Sequence, residues 1–181
     1  YRNADSSDVV VTAAGGLVGE VVQIWKPKQI NTFETEWGFS CMGYEISGAL
    51  GMKMAKPDQD FIVFVGDGSY LLQNSDIYSS VIYEKKLIII VCDNSGHMVI
   101  NRLQLAKGGK EYLCNFKSAR ASNFVEIDFA SHAASMGAES ETVTSTSELE
   151  AAFLRAKKSK GTYVISIKTH GYEWLEGTAF W

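Results

Sequence analysis

The chain is poor in the residues that mark several classes of function. It holds only two prolines, three cysteines and three histidines in 181 residues. Cys41, Cys92 and Cys114 lie far apart and form no CxxC pair, which argues against a zinc site and for a reduced, cytoplasmic setting. Basic residues are not in excess: 17 stand against 21 acidic ones, a net charge of −4. A broad nucleic-acid or membrane-binding surface is therefore not expected. No apolar run approaches the ~20 residues of a membrane span. The opening YRNADSSDVV has neither the charged nor the apolar region of a signal peptide. Internal repeats and low-complexity tracts are also missing.

What remains is an ordinary globular composition, 46% hydrophobic and 21% charged, at a length that suits one domain with a full core. Pro27 and Pro57 sit in the polar stretches KPKQ and AKPDQD, which read as loops between elements rather than domain linkers. The closing TAFW is apolar and aromatic, and predicts that further chain or a partner continues beyond it.

Four short runs, 9–12, 61–65, 87–92 and 162–168, are rich in β-branched residues and continuously apolar rather than alternating. That is the pattern of strands covered on both faces. Helical patterns separate them. One spans 38–55 and carries the small residues Gly43, Ser47, Gly48 and Gly51. Another starts at Asn74 or Ser75 and places Ile77, Val81 and Ile82 on one face. A third starts at Asp128. A fourth runs from Thr146, with Ser147 as cap, Leu149, Ala152, Phe153 and Ala156 as its stripe, and Gly161 as stop. A further strand is poorly marked near 141–144. Strand and helix in alternation predict an α/β domain: a three-layer α/β/α architecture on a mainly parallel, roughly six-stranded sheet.

In such sheets ligands bind beyond the carboxyl ends of the strands. Three strand exits matter: AAGGLVGE after the first, GDGS after the second and DNSGH after the third. Asp67 offers a hard anionic oxygen and Asn94 a neutral amide oxygen, the donor types that suit Mg²⁺ completed by substrate phosphates. Gly66 and Gly68 allow a sharp turn and the close approach of a phosphate. Ser69 adds a hydroxyl donor, and the helix that follows adds free amides. The 24 residues from 69 to 92 fit one helix and one return strand, so the two motifs can meet at the sheet edge. Alone, GDG is most often a turn, and DN a turn or cap. As a pair, each after a buried run, they point to a metal and a phosphate.

GDG followed about two dozen residues later by N-N or D-N resembles the thiamine diphosphate-dependent enzymes, such as acetolactate synthase and pyruvate decarboxylase. The resemblance covers nearly the whole chain, as the diphosphate-binding domain. It implies Mg²⁺ ligands at Asp67, Asn94 and the backbone carbonyl of Gly96, with Asp93 in place of the first Asn of the pair. GFSCMG, residues 38–43, resembles the family segment that holds the aminopyrimidine through backbone groups, here Ser40, and wedges the cofactor with a bulky side chain, here Met42. By itself Met42 reads as core. Longer stretches, among them NTFETEWGFSCMGYEISGALGMKMA and CDNSGHMVINRLQ, resemble a ring-opening branch of the family, which hydrolyses a cyclic 1,2-diketone to 5-deoxyglucuronate in myo-inositol degradation. A carboligase or 2-oxo acid decarboxylase is the alternative, and a non-catalytic assembly module that keeps the fold is a third reading. The resemblance further implies a pyrimidine-binding domain, from the same or another subunit, that supplies the activating glutamate, and a homodimer or homotetramer. No motif for that domain or for the family's central domain occurs in these residues, so no catalytic residue is assigned in this chain.

Other features read more plainly. GGLVGE is not G-x-G-x-x-G and predicts a tight turn beside the cofactor rather than a nicotinamide site. KGGKE lacks the Ser or Thr and the flanking strand of a P-loop, and predicts an exposed loop. Cys92 reads as core, His97 as a group that can face substrate, and His132 as structural or solvated, whereas His170 has no assignment. Residues 101–104 continue a helix near the proposed diphosphate.

Overall fold

A computed structural model describes residues 1–36, 38–118 and 123–176. The closing TAFW of the sequence lies outside the described residues. Among the described residues, six strands form one sheet: β1 (Val9–Thr12), β2 (Phe33–Thr35), β3 (Phe61–Gly66), β4 (Ile88–Asp93), β5 (Glu139–Val143) and β6 (Tyr163–Lys168). Their order is β2-β1-β3-β4-β6-β5, and every neighbouring pair is parallel. The expected α/β sheet of about six strands is thus present.

Among the described residues, seven α-helices connect or follow the strands: α1 (Gly15–Ile24), α2 (Tyr44–Ala55), α3 (Asp67–Leu72), α4 (Ser75–Ile82), α5 (Met98–Ala106), α6 (Phe129–Ser135) and α7 (Thr146–Lys158). The continuous apolar runs explain the layering, because successive strand residues point to opposite faces. Val9, Val11, Phe61, Val63, Ile89 and Val91 pack on one face with Ile46 and Leu50 of α2, Ile77 of α4 and Phe129 of α6. Val10, Ile62 and Ile90 pack on the other with Val21 of α1, and Ile88 and Ile165 with Ala152 and Ala156 of α7. Among the described residues no helix is long and apolar enough to cross a membrane.

Several boundaries differ from the sequence reading. The edge strand β2 has the sequence FET, three half-buried residues with no apolar run to announce it. The helix expected over 38–55 begins only at Tyr44, because Gly43 takes φ +95° and breaks the helical path. GGLVGE opens helix α1 instead of forming a tight turn, with only Gly15 at positive φ, +80°. The cap of α7 is Ser145 rather than Ser147, since the Ser145 hydroxyl accepts the Glu148 N–H. Asp128 does cap α6, accepting from the Ser131 N–H at 2.9 Å. Asn74 is the N-cap residue of α4 but makes no side-chain cap bond; its amide donates to the Tyr70 carbonyl at 3.1 Å.

The topology fixes where a ligand can enter. From β1 the chain moves outward to β2, then returns to the other side of β1 as β3 and continues to β4. The direction of winding therefore reverses between β1 and β3. The loops after these two strands leave in opposite directions, and a crevice opens between them.

Candidate cofactor-binding site

That crevice holds a cavity of about 570 Å³, within the range of small-molecule and cofactor sites. Its walls come from all three expected strand exits: Ala14–Leu17 after β1, Gly66–Ser69 after β3, and Asn94, Gly96 and His97 after β4. Ser40 and Met42 close it from the segment before α2. Every residue singled out as a site candidate in the sequence thus lies on one cavity.

Asp67 begins α3 and is 1% exposed. Its Oδ1 accepts the Gly68 N–H at 2.8 Å and its Oδ2 the Gly96 N–H at 2.9 Å. Burial pushes its carboxyl up to about 7, against the pull of those two N–H groups, and the Asp93 carboxylate adds to the rise. Hydrogen bonds to a charged acceptor contribute about 1.5–3 kcal/mol each. The upward shift means that they do not offset the loss of water. Among the described residues no ammonium or guanidinium pairs with Asp67. A cation is what this carboxylate lacks.

The amide oxygen of Asn94 is buried and has no hydrogen-bond partner. Buried polar atoms without partners are rare enough to call for a ligand or water. Gly96 is held by a short antiparallel bridge to Asn115, flanked by the His97 N–H to the Cys114 carbonyl at 2.8 Å and the Phe116 N–H to the Ser95 carbonyl at 2.9 Å. A Cβ on Gly96 would stand 2.3 Å from the Cys114 oxygen, so only glycine fits. The oxygen donors therefore suit a hard divalent cation: one buried carboxylate, one orphaned amide oxygen and a glycine backbone pinned beside them.

Asp93 is not free to join that set. Its Oδ1 accepts the Ser95 N–H at 3.0 Å, and its Oδ2 pairs with Lys168 at 2.5 Å. The carboxylate that departs from the family pattern braces the turn and carries its own counter-ion from the end of β6.

The two glycines of GDG serve different ends. Nothing lies within 4 Å of a Cβ placed on Gly66, so open space on the cavity side is available to a ligand. A Cβ on Gly68 would meet the His97 ring at 2.5 Å and stand 3.5 Å from Met42 Cε. His97 itself packs edge-on against Phe116, with ring centroids 5.4 Å apart. Met42 is 39% exposed and lines the cavity, which is not the setting of a core methionine. Ser40 has φ +50°, so the backbone turns there. Ser69 is buried at 4% exposure and contributes to the cavity wall.

Of the helical stretch 101–104 expected near the diphosphate, Arg102 and Leu103 of α5 line the cavity. The sequence reading missed other wall residues: Glu20 of α1 and the segment Thr169, His170, Gly171, Glu173 and Trp174. Arg102 stacks on Trp174 at 4.4 Å from the ring centroid. Nothing local marks the tail. Cys92 also reaches the cavity, but burial raises its thiol to about 12, which keeps it protonated and unreactive. His132 bonds through Nδ1 to the Tyr70 hydroxyl at 2.9 Å, a structural role. KGGKE is an exposed loop, as expected.

Comparison with known proteins agrees with this geometry. Residues 13–167 match the family model described as "Thiamine pyrophosphate enzyme, C-terminal TPP binding domain". A 3D-(3,5/4)-trihydroxycyclohexane-1,2-dione hydrolase of Halalkalibacterium halodurans is 39% identical over 175 residues, covering 93% of this chain and 27% of that protein. The protein of the same name from Bacillus subtilis is 37% identical over 179 residues, covering 94% of this chain and 28% of its own length. The chain thus spans less than a third of the curated relatives it matches. Among solved structures, a thiamine diphosphate-dependent 4-hydroxybenzoylformate decarboxylase of Rhodococcus jostii RHA1 superposes with a TM-score of 0.79 at 19% identity, over 93% of this chain and 31% of that one. Benzoylformate decarboxylase from Polynucleobacter necessarius gives 0.74 at 20% identity, over 96% and 32%. These two share the fold. With the family model matched over most of its length, the chain belongs to the thiamine pyrophosphate enzymes, as their C-terminal TPP-binding domain.

Proposed function

We propose that this chain is the cofactor-binding domain of a thiamine diphosphate- and Mg²⁺-dependent hydrolase. Its substrate would be trihydroxycyclohexane-1,2-dione, opened at a C–C bond to 5-deoxyglucuronate in myo-inositol degradation. The observation that carries the cofactor part is the orphaned Asn94 amide oxygen on the same cavity as the buried, cation-less Asp67 carboxylate. The substrate part rests on the hydrolase relatives, 39% identical across 93% of the chain.

In this reading Asp67, Asn94 and the Gly96 carbonyl hold the divalent ion. Gly66, Gly68 and Ser69 line the diphosphate, and Gly66 leaves room for it. Ser40 and Met42 bracket the ring end, with Met42 as the wedge. Thiamine diphosphate, when bound, supplies an electron sink for breaking a C–C bond next to a carbonyl. The chain's own part is to bind and orient it. The activating glutamate would come from a pyrimidine-binding domain of the same or another subunit, outside these residues, as would the central domain. Where that domain belongs to another subunit, the enzyme is a homodimer or homotetramer. The three free thiols accord with a reduced, cytoplasmic setting.

The test is direct. The full-length enzyme should open trihydroxycyclohexane-1,2-dione only with thiamine diphosphate and Mg²⁺ present. Turnover of pyruvate or another 2-oxo acid in its place would favour the carboligase or decarboxylase alternative. Failure to bind the cofactor at all would favour a non-catalytic assembly module.

A further inference from the structure

Glu45 is a carboxylate in an unexpected place. It lies in the first turn of α2, within the otherwise uncharged stretch YEISGALG, and is 0% exposed. Among the described residues no Lys, Arg or His pairs with it. Burying a charge without a counter-ion is costly unless backbone donors replace the lost water.

Two donors do so in part: Oε1 accepts the Ala14 N–H at 3.2 Å and Oε2 the Gly43 N–H at 2.9 Å, while burial still holds the carboxyl above its ordinary range. The two donors come from different segments, the exit of β1 and the turn before α2. Ala14 lines the cavity, and Gly43 follows Met42, which does too. One buried carboxyl ties together two of the walls.

The local sequence explains why the carboxylate is needed at this position. Gly43 is the N-cap of α2 with φ +95°, and a Cβ there would meet Gln73 Cβ at 2.6 Å. The cap must therefore be glycine, which has no side chain to satisfy the helix start. Glu45 reaches back to the cap's own N–H, as the acidic residue of a capping box does. Its other oxygen is left to hold Ala14.

We propose that Glu45 is a positioning residue for the cofactor, a buried carboxylate that pre-sets the Ala14 and Met42–Gly43 walls before the cofactor arrives. This rests on the thiamine diphosphate reading above and deepens it. Glu45 touches no reacting atom, and its effect passes through the backbone it holds.

The test uses the full-length enzyme and Glu45→Gln. Glutamine keeps the size but has one acceptor oxygen; its NH₂ opposes an N–H and leaves that donor unpaired. The half-saturating thiamine diphosphate concentration should rise about tenfold or more, the loss of one charge-assisted bond, while kcat at saturating cofactor falls by less. Hydrogen exchange in the cofactor-free variant should speed up in peptides covering 13–17 and 40–44 and stay unchanged elsewhere. A half-saturation within twofold of wild type, in an enzyme that still needs the cofactor, overturns the inference and leaves the cofactor reading intact. A wild-type enzyme that shows no need for thiamine diphosphate overturns both. If Glu45→Gln does not fold, wild type decides: Ala14 and Gly43 amides already protected without cofactor support the proposal, and amides that become protected only on adding cofactor overturn it.

Discussion

The Oδ2 of Asp67 accepts the backbone N–H of Gly96 at 2.9 Å, although 29 residues separate the two in the chain. This bond joins the exit of β3 to the exit of β4, the two motifs that the sequence presents as separate turns. It also sets the charge problem of the site, since the carboxylate that makes it is buried and lacks a cation. The predictions start from that problem.

The Asp67 carboxyl in the metal-free protein titrates near 7, well above the ordinary value of 3.8 that it has when unfolded. A group raised in this way stabilises the fold fully below the unfolded value, and that contribution is lost as pH rises through the folded one. Metal-free stability from this residue should therefore fall between about pH 4 and 7. Asp67→Asn, which cannot ionise, escapes the loss. In EDTA the melting temperature of the full-length variant should gain on wild type from pH 5 to 8. Mg²⁺ with thiamine diphosphate should stabilise wild type but not the variant. A constant difference between the two proteins across this range would count against the burial argument.

Asn94 and Asp93 are neighbours with different employment. Asn94→Ala removes the unpartnered oxygen and should weaken cofactor binding by well over tenfold, with excess Mg²⁺ restoring it only in part. Asp93→Asn keeps an acceptor for the Ser95 N–H and loses the charge that pairs with Lys168 and that adds to the rise at Asp67. Its cost should stay at or below the roughly 10–100-fold range of groups that orient metal ligands. Calorimetric titration of both full-length variants ranks them. If Asp93→Asn abolishes metal binding while Asn94→Ala is tolerated, Asp93 is the ligand.

Gly68 is constrained by a side chain, not by backbone strain. Gly68→Ala would drive its Cβ to 2.5 Å from the His97 ring and should destabilise the fold by about 1–3 kcal/mol. Adding His97→Ala removes the obstacle, at the cost of the Phe116 edge contact, worth about 0.5–1.5 kcal/mol. The double variant should then be more stable than Gly68→Ala alone. Denaturant unfolding of the single and double variants checks this, and simple additivity would show that the two residues do not couple.

The proposed site is shared with a domain outside these residues. The purified 181-residue chain should therefore turn over neither a 1,2-diketone nor a 2-oxo acid, although it can retain weak affinity for the diphosphate. Coupled assays with each substrate class test this. Steady turnover by the isolated chain would mean that the activating group lies within it.

The sequence by itself determined the parts that depend on local composition. Continuous apolar runs gave β1, β3, β4 and β6 within a residue of their observed ends, because strands buried on both faces must be apolar throughout. Asp67 and Asn94 stood out as candidates because each sits where such a run stops, and Gly96 only through the family resemblance. Asp128 was legible as a cap because its side chain bonds three residues away. Tertiary structure decided whatever depends on partners distant in the chain. The strand β2 is held by pairing with β1 rather than by its own residues. Glu45 looks like a misplaced surface residue until Ala14, 31 positions earlier, donates to it. Asp93 becomes a brace only when Lys168, 75 positions later, ends β6 beside it. Gly68 owes its constraint to the His97 ring, which β4 and the bridge to Asn115 bring over it. Periodicity records which side of an element is buried; it carries no information about which distant group will stand opposite, and in this cavity those opposite groups set the charge, the shape and the room for a ligand.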